Sequence, residues 1–231
     1  MMLTHEGQAL LRYCVAARDL EGETLAQISG ATERASVEVC ITGPSSIMRS
    51  RVAPSCLAVL KQFPEIAMRF EVNDFSPLED ALRTGMAQMA ILAPERVGRE
   101  VDSKVLKPER YVLVGAKSWK GRAISEVIQR ERIIDFDPSD TMTFSYLKKF
   151  GFLDGVRPDR HFMNNTEALV TMFEEGLGYG VLTLEFAQPY LKRGKLVLLN
   201  SGKVYENRVA LAWYPRPKMA KYFRALIDAI H

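Results

Sequence analysis

With 231 residues, 47% of them hydrophobic, the chain can bury one large or two small cores, which excludes an unfolded or low-complexity segment. Its 31 basic and 28 acidic residues are interleaved and leave a formal charge of +3, so no Lys/Arg run of the kind that tracks a phosphate backbone is present. No apolar run approaches the roughly 18 residues of a membrane span, and the start of the chain lacks the basic and apolar segments of an export signal.

Taken in chain order, Leu3 to about Ile28 reads as one long helix, opened by Thr4 and carrying Leu10, Leu11, Cys14, Ala17, Leu20 and Leu25 on an interrupted apolar stripe. Ser29-Gly30-Ala-Thr32 closes it as a linker. A striped helix without a following partner segment needs its apolar face covered, and a second copy of the chain is the expected cover. Ser36 to Thr42 then reads as a β-branched strand running into Gly43-Pro-Ser-Ser46 and a helix with Ile47, Val52, Cys56, Val59, Leu60 and Phe63. Pro54 is expected to kink or divide that helix. Ile66 to Val72 alternates at period two, as a strand with one buried face should. Ser76 as N-cap, Pro77 at the first helical position and Glu79 form a capping box for the next helix, and Gly85 ends it. A short strand follows at Gln88 to Leu92. This alternation of strands and helices predicts a parallel α/β unit.

A second unit opens near Tyr111-Val-Leu-Val114. Its expected elements are a short helix around Ser125 to Gln129, a strand over Arg132 to Phe136, a helix from Asp140 to Phe150 and a strand over Arg160 to Met163. A helix from Thr166 to Glu175 and strands at Gly180 to Leu184 and Leu196 to Leu199 follow. Asn207 to Tyr214 reads as a further strand, and the terminal helix with Met219, Tyr222, Phe223, Leu226, Ile227 and Ile230 on one face is expected to return to the first unit. Two passages of the chain between the units, near Val112 to Val114 and Asn207 to Leu211, predict a hinge and a ligand cleft.

Two strand-to-helix junctions of the second unit carry the most chemistry: Phe136-Asp-Pro-Ser-Asp-Thr-Met142 and Met163-Asn-Asn-Thr-Glu167. A helix N-terminus presents unpaired N–H groups and a partial positive charge, so it anchors small polar ligands, and acids placed beside it can face outward to a cation. Capping accounts for Asp140, Asn165 or Thr166 taken singly. The grouping of Asp137, Asp140 and Glu167 is what marks the junctions as a candidate site.

Several local patterns, in order and spacing, resemble the effector-binding domain of LysR-type transcriptional regulators. Leu3-Thr-His-Glu-Gly-Gln-Ala-Leu-Leu11 is similar to the end of that family's winged helix-turn-helix and the start of its linker helix. Pro54-Ser-Cys-Leu-Ala-Val-Leu-Lys-Gln-Phe-Pro64 is similar to its Pro-x-x-Leu-x-x-Phe stretch, with the second Pro early. Leu82-Arg-Thr-Gly-Met-Ala-Gln-Met-Ala-Ile91 has Gln88 or Met89 where the family usually has Asp. Gly176-Leu-Gly-Tyr-Gly-Val-Leu182 continues to Thr183 in place of Pro. Phe136-Asp-x-x-Asp-x-Met142 and Asn164-Asn-Thr-Glu-Ala168 are similar to the ArgP-like, lysine- and arginine-responsive branch.

The resemblance implies a type II periplasmic-binding-protein-like α/β fold, with two Rossmann-like subdomains joined by two crossover segments and preceded by a linker helix. The implied division is residues 1–30 for the end of the helix-turn-helix and the linker helix, 36–111 plus 208–231 for subdomain I, and 112–207 for subdomain II. It also implies an amino-acid-like effector between the subdomains, contacted by Ser45 and Ser46, by Asp74 and Ser76, by Asp137, Asp140 and Thr141, and by Asn165, Thr166 and Glu167. The ligand's carboxylate is expected at the helix N-termini of Ser45, Ser46 and Ser76, and its cationic end at Asp137, Asp140 or Glu167. A homodimer or homotetramer is implied. DNA is expected to be read only through a helix-turn-helix domain ahead of the linker helix, of which Met1-Met2 precede only the last residues.

Other classes find less support. His5, His161 and His231 are scattered, so no Ser-His-Asp or Cys-His set is apparent and no catalytic residue is assigned. No His/Cys/Asp/Glu grouping has zinc spacing, and no cofactor is implied. Gly176-x-Gly-x-Gly180 ends a helix where a dinucleotide fingerprint must start one. An enzyme of this fold similar to prephenate dehydratase would carry a Thr-Arg-Phe motif where Thr143-Phe-Ser stands. A solute-binding protein would need an export signal. Cys14, Cys40 and Cys56, odd in number and without C-x-x-C spacing, read as small buried thiols in a reducing cytoplasm.

Overall fold

The computed structural model describes residues 37–74, 77–216 and 218–231, and ahead of them Thr4, Glu6, Gly7, residues 9–11, Tyr13, Cys14 and Ala17. Most of the helix expected over 3–28, and its linker, lie outside the described residues. Those described from Glu6 onward in that stretch are helical, and the Gly7 amide donates to the Thr4 hydroxyl at 3.1 Å, closing the helix start as a cap does.

The chain divides into two compact units, one made of residues up to Pro108 together with Arg208–His231, the other of Glu109–Asn207. In chain order the elements are β1 (Val37–Gly43), α1 (Ser45–Ile47), a π-helical segment (Met48–Val52), α2 (Ala53–Gln62), β2 (Ile66–Val72), α3 (Leu78–Arg83), β3 (Met89–Leu92) and β4 (Asp102–Val105). Then come β5 (Glu109–Ala116), α4 (Ile124–Arg130), β6 (Ile133–Asp135), α5 (Met142–Lys149), β7 (Arg160–Phe162), α6 (Thr166–Glu174), β8 (Gly180–Thr183) and α7 (Leu184–Lys192). The chain finishes with β9 (Leu196–Leu198), β10 (Tyr205–Asn207), β11 (Ala210–Trp213) and α8 (Lys221–Ala229).

In the first unit the sheet order is β2-β1-β3-β11-β4. β1 runs parallel to β2 and β3, and β11 runs antiparallel between β3 and β4. Val37, Val39 and Ile41 point to one face of β1, where Cys56 and Val59 of α2 and Tyr222, Phe223, Leu226 and Ile227 of α8 bury them. The terminal helix joins this core because its apolar residues recur at helical spacing. Lys104 of β4 fixes its end, donating from Nζ to the carbonyls of Ile227 and Ile230 at 2.8 Å each.

Pro54 divides its helix as expected. It stands at the start of α2, immediately after the π-helical segment, where the Ala53 amide reaches back to the Met48 carbonyl. Proline has no N–H for the helical ladder and its ring crowds the preceding turn, which a widened turn accommodates. The capping box at Ser76 requires correction. α3 begins at Leu78 with Pro77 at the cap position and no side-chain cap, and Glu79 pairs with Arg96 at 2.6 Å instead. Ser76 itself lies outside the described residues.

In the second unit β5 is central, antiparallel to β8 on one edge and to β10 and β9 on the other. β6 and β7 form a parallel pair joined to the β8 segment by a bridge between Ile133 and Tyr179. The glycines before β8 serve that join. Gly176 ends α6 with φ +73°, while a Cβ on Gly178 would run into the Arg132 carbonyl and one on Gly180 would stand 2.6 Å from the Ile134 carbonyl. They permit backbone contact with β6, and no phosphate-binding turn is formed.

β4, α7 and β10 are additional to the elements read from sequence. Cys40 and Cys56 are buried and burial pushes both thiols up to about 11, whereas Cys14 is exposed, contrary to the expectation of three buried thiols. Among the described residues no helix is long and apolar enough to cross a membrane.

Candidate functional site

In the first unit the candidate residues gather at the C-terminal end of β1. Gly43 leads through Pro44 into α1, and the Ser45 amide donates to the Asp74 carboxylate at 2.8 Å. Asp74 comes from the turn after β2, which runs beside β1 so that Gly43 faces Val72. The carboxylate at this helix start is thus the protein's own, and Asp74 acts as a long-range cap. Ser45, Ser46 and Asp74 are all half-buried. Thr42, just before the turn, is fully buried and its hydroxyl makes no hydrogen bond.

In the second unit the two junctions leave neighbouring strands, because β6 and β7 run parallel with Asp135 opposite Phe162. After β6 the loop folds on itself. Asp140 accepts from the Phe136 amide at 3.2 Å and from the Met142 amide at 2.8 Å, spanning the loop and satisfying the first amide of α5. Asp137 accepts from the Ser139 amide at 2.6 Å, a short turn closed by an acid. The N-cap position of α5 belongs to Thr141, which is exposed and makes no side-chain cap, so Asp140 supports the helix from one residue farther out. After β7, Asn165 is the N-cap of α6 and accepts from the Ala168 amide at 2.9 Å. Thr166 is half-buried and Glu167 is exposed in the first turn of the same helix. The structure therefore brings together Ser45 with Asp74, and Asp137 with Asp140 beside the strand that leads to Asn165, Thr166 and Glu167.

Beneath the second-unit loops lies a pair that the sequence reading did not single out. Asp135, the last residue of β6, is buried with 1% of its side chain exposed, and Oδ2 accepts from Arg160 Nη1 at 2.7 Å. Its Oδ1 makes no hydrogen bond. Burial pushes the Asp135 carboxyl up to about 6, against the opposing pull of the Thr143 hydroxyl and of Arg160, with the nearby Asp140 charge adding to the rise. Tyr179, fully buried with an unbonded hydroxyl, is raised by burial first and by Asp135 second. Arg160 also donates to the carbonyls of Pro138 at 3.0 Å and Asp140 at 3.2 Å, and its guanidinium lies about 5 Å from the Phe144 and Phe162 rings (5.1 and 4.9 Å). A signal existed: Asp135 shares a face with Ile133 in an apolar strand, and an acid turned inward there requires a cation.

Chemically, this arrangement offers carboxylates and helix N-termini on loops braced from below. Among the described residues no group of three or more His, Cys, Asp or Glu side chains could hold a metal ion. His161 sits inside β7 between Arg160 and Phe162.

Known proteins share this family and fold. The LysR substrate binding domain family matches residues 32–231. The chain is 26% identical over 208 residues to the HTH-type transcriptional regulator ArgP of Aeromonas salmonicida, covering 87% of this chain and 68% of that protein. It is 24% identical to the ArgP of Enterobacter sp. (strain 638), covering 98% of this chain and 76% of that one. Among solved structures, ArgP from Mycobacterium tuberculosis superimposes with a TM-score of 0.79 at 18% identity, over 98% of this chain and 76% of the other. Full-length LysG from Corynebacterium glutamicum with bound effector Arg gives a TM-score of 0.78 at 19% identity, over 98% and 77%.

Proposed function

Because this chain belongs to the LysR substrate-binding domain family, the effector-binding part of LysR-type transcriptional regulators, we propose that its effector is a basic amino acid, arginine or lysine. The observation that carries the choice is the gathering of acids on two neighbouring loops, Asp137 in the loop after β6 and Glu167 at the start of α6. Their charge offsets a guanidinium or ammonium group, and a carboxylate is a natural bidentate partner for arginine. The arginine bound in the LysG structure belongs to the same ligand class.

On this reading Asp140 and Thr141 shape the first loop, while Asn165 and Thr166 present the α6 N-terminus to the ligand's polar groups. Within the first unit, Ser46 and the neighbouring turn, with Ser76, offer donors suited to a carboxylate. Asp74 already occupies the Ser45 amide and positions that turn. The intact regulator acts in the cytoplasm as a homodimer or homotetramer and reads DNA through a helix-turn-helix domain. Effector binding alters transcription only to the extent that the ligand binds two packing states with different affinity.

A thermal-shift titration with arginine, lysine, leucine and glutamate tests the assignment, since binding to the native state raises stability by mass action. A saturable shift with arginine or lysine, reduced in Asp137→Asn and Glu167→Gln, is the expected result. A shift with glutamate or leucine alone would overturn the basic-amino-acid assignment.

A further inference from the structure

We infer that Arg160 is a positioning residue for the effector loop, its guanidinium clamping residues 136–141 onto the buried Asp135 so that Asp137 is presented in one geometry. The inference rests on the reading of that loop as part of the effector site.

Three features carry it. First, the guanidinium reaches three acceptors: the Asp135 carboxylate at 2.7 Å and the Pro138 and Asp140 carbonyls at 3.0 and 3.2 Å. Two of these belong to the loop itself, one on each side of Ser139. Second, the anchor is fixed. Asp135 has 1% of its side chain exposed and Arg160 19%, and Phe144 and Phe162 flank the guanidinium. Third, the loop's own bonds leave a degree of freedom. Asp140 ties the two ends through the Phe136 and Met142 amides, and Asp137 closes a turn with Ser139, but neither bond fixes the loop to the strands below. Arg160 supplies that link. It stands at the head of β7, so its side chain must run the length of the β6–β7 pair to reach the loop.

A lone ammonium could neutralise Asp135, yet its three donors radiate from one nitrogen, whereas Arg160 reaches Asp135 and the Asp140 carbonyl from Nη1 and the Pro138 carbonyl from Nη2. The two roles of Arg160, charge partner and clamp, are therefore separable by Arg160→Lys. The groups around the pair also define its response to pH: Asp140 from the loop, Thr143 from α5 and Tyr179 from the turn before β8 all bear on Asp135. With burial raising its carboxyl to about 6, protonation below that pH removes the ionic part of the bond to Arg160.

The experiment compares wild type, Arg160→Lys and Asp137→Asn by arginine titration calorimetry and, without ligand, by amide hydrogen exchange. Arg160→Lys is expected to remain folded with a near-native melting temperature and to bind arginine roughly tenfold more weakly or worse, because the site geometry and not the net charge is lost. In the ligand-free protein the amides of Phe136, Ser139, Asp140 and Met142 are expected to exchange faster in Arg160→Lys while those of α6 are unchanged. Native affinity together with native exchange in Arg160→Lys would overturn the clamp. If wild type binds no basic amino acid, the effector reading fails, and the exchange comparison alone then decides the clamp: faster exchange supports it and unchanged exchange overturns it.

Discussion

The turn after β1 and the loop after β6 occupy the same kind of place, the C-terminal end of a parallel strand where the chain enters a helix, yet they are held in opposite ways. After β1 the helix start is closed from outside by Asp74, an acid 29 positions away that arrives with the neighbouring strand. After β6 the acids are local, Asp137 and Asp140 within the loop, and the distant element lies underneath, where Arg160 ties the loop to buried Asp135. The first arrangement uses its carboxylate at the helix N-terminus. The second also uses one acid, Asp140, at its helix start, but it adds a half-buried Asp137 in the loop and a buried charge pair beneath that holds the loop still.

The contrast can be broken at its strongest point. Arg160→Met leaves Asp135 buried without a cation and should lower stability by about 3–5 kcal/mol at pH 8, read by urea denaturation. The loss should shrink at pH 5, where Asp135 takes up a proton. Next comes the pH dependence of the wild type. The folded carboxyl lies at about 6 and the ordinary value is 3.8, so the folded state holds the extra proton between those values. Its contribution is present below about pH 4 and lost as pH rises through about 6, a change on the order of 3 kcal/mol. Asp135→Asn should flatten that segment of the stability profile; an unchanged slope would assign it to other groups.

Smaller changes sharpen the comparison between the two junctions. Asp140→Ala releases two backbone amides and should cost about 2 kcal/mol, whereas Asp74→Ala releases one and should cost about 1 kcal/mol, both measured by chemical denaturation. If Asp74→Ala costs more, the first turn depends on its distant acid more heavily than its single bond indicates.

The same contrast explains what could be read from residue order. Local devices were legible. The period-two run over Ile66–Val72, the helix stops at Gly85 and Gly176 with φ of +72° and +73°, and the cap at Asn165 all act within a few residues of themselves. Elements whose reason lies elsewhere in the chain were not. β4 has one apolar residue, Val105, and exists because β11 arrives beside it, with Trp213 opposite Asp102. β10 is three polar-leaning residues held by β5, and α7 contains Pro189, which argues against a helix until its tertiary setting is known. In the candidate site the acid-bearing loops were visible as local composition. The pairing of Ser45 with Asp74 and of Asp135 with Arg160 was not, because each joins residues far apart in the chain that meet only when two strands pair.

The most direct test of the central claim is backbone amide NMR during an arginine titration of this chain. The account predicts saturable shift changes concentrated on residues 136–141 and 164–168, weakened in Asp137→Asn. Saturable changes that leave those two loops untouched would contradict it.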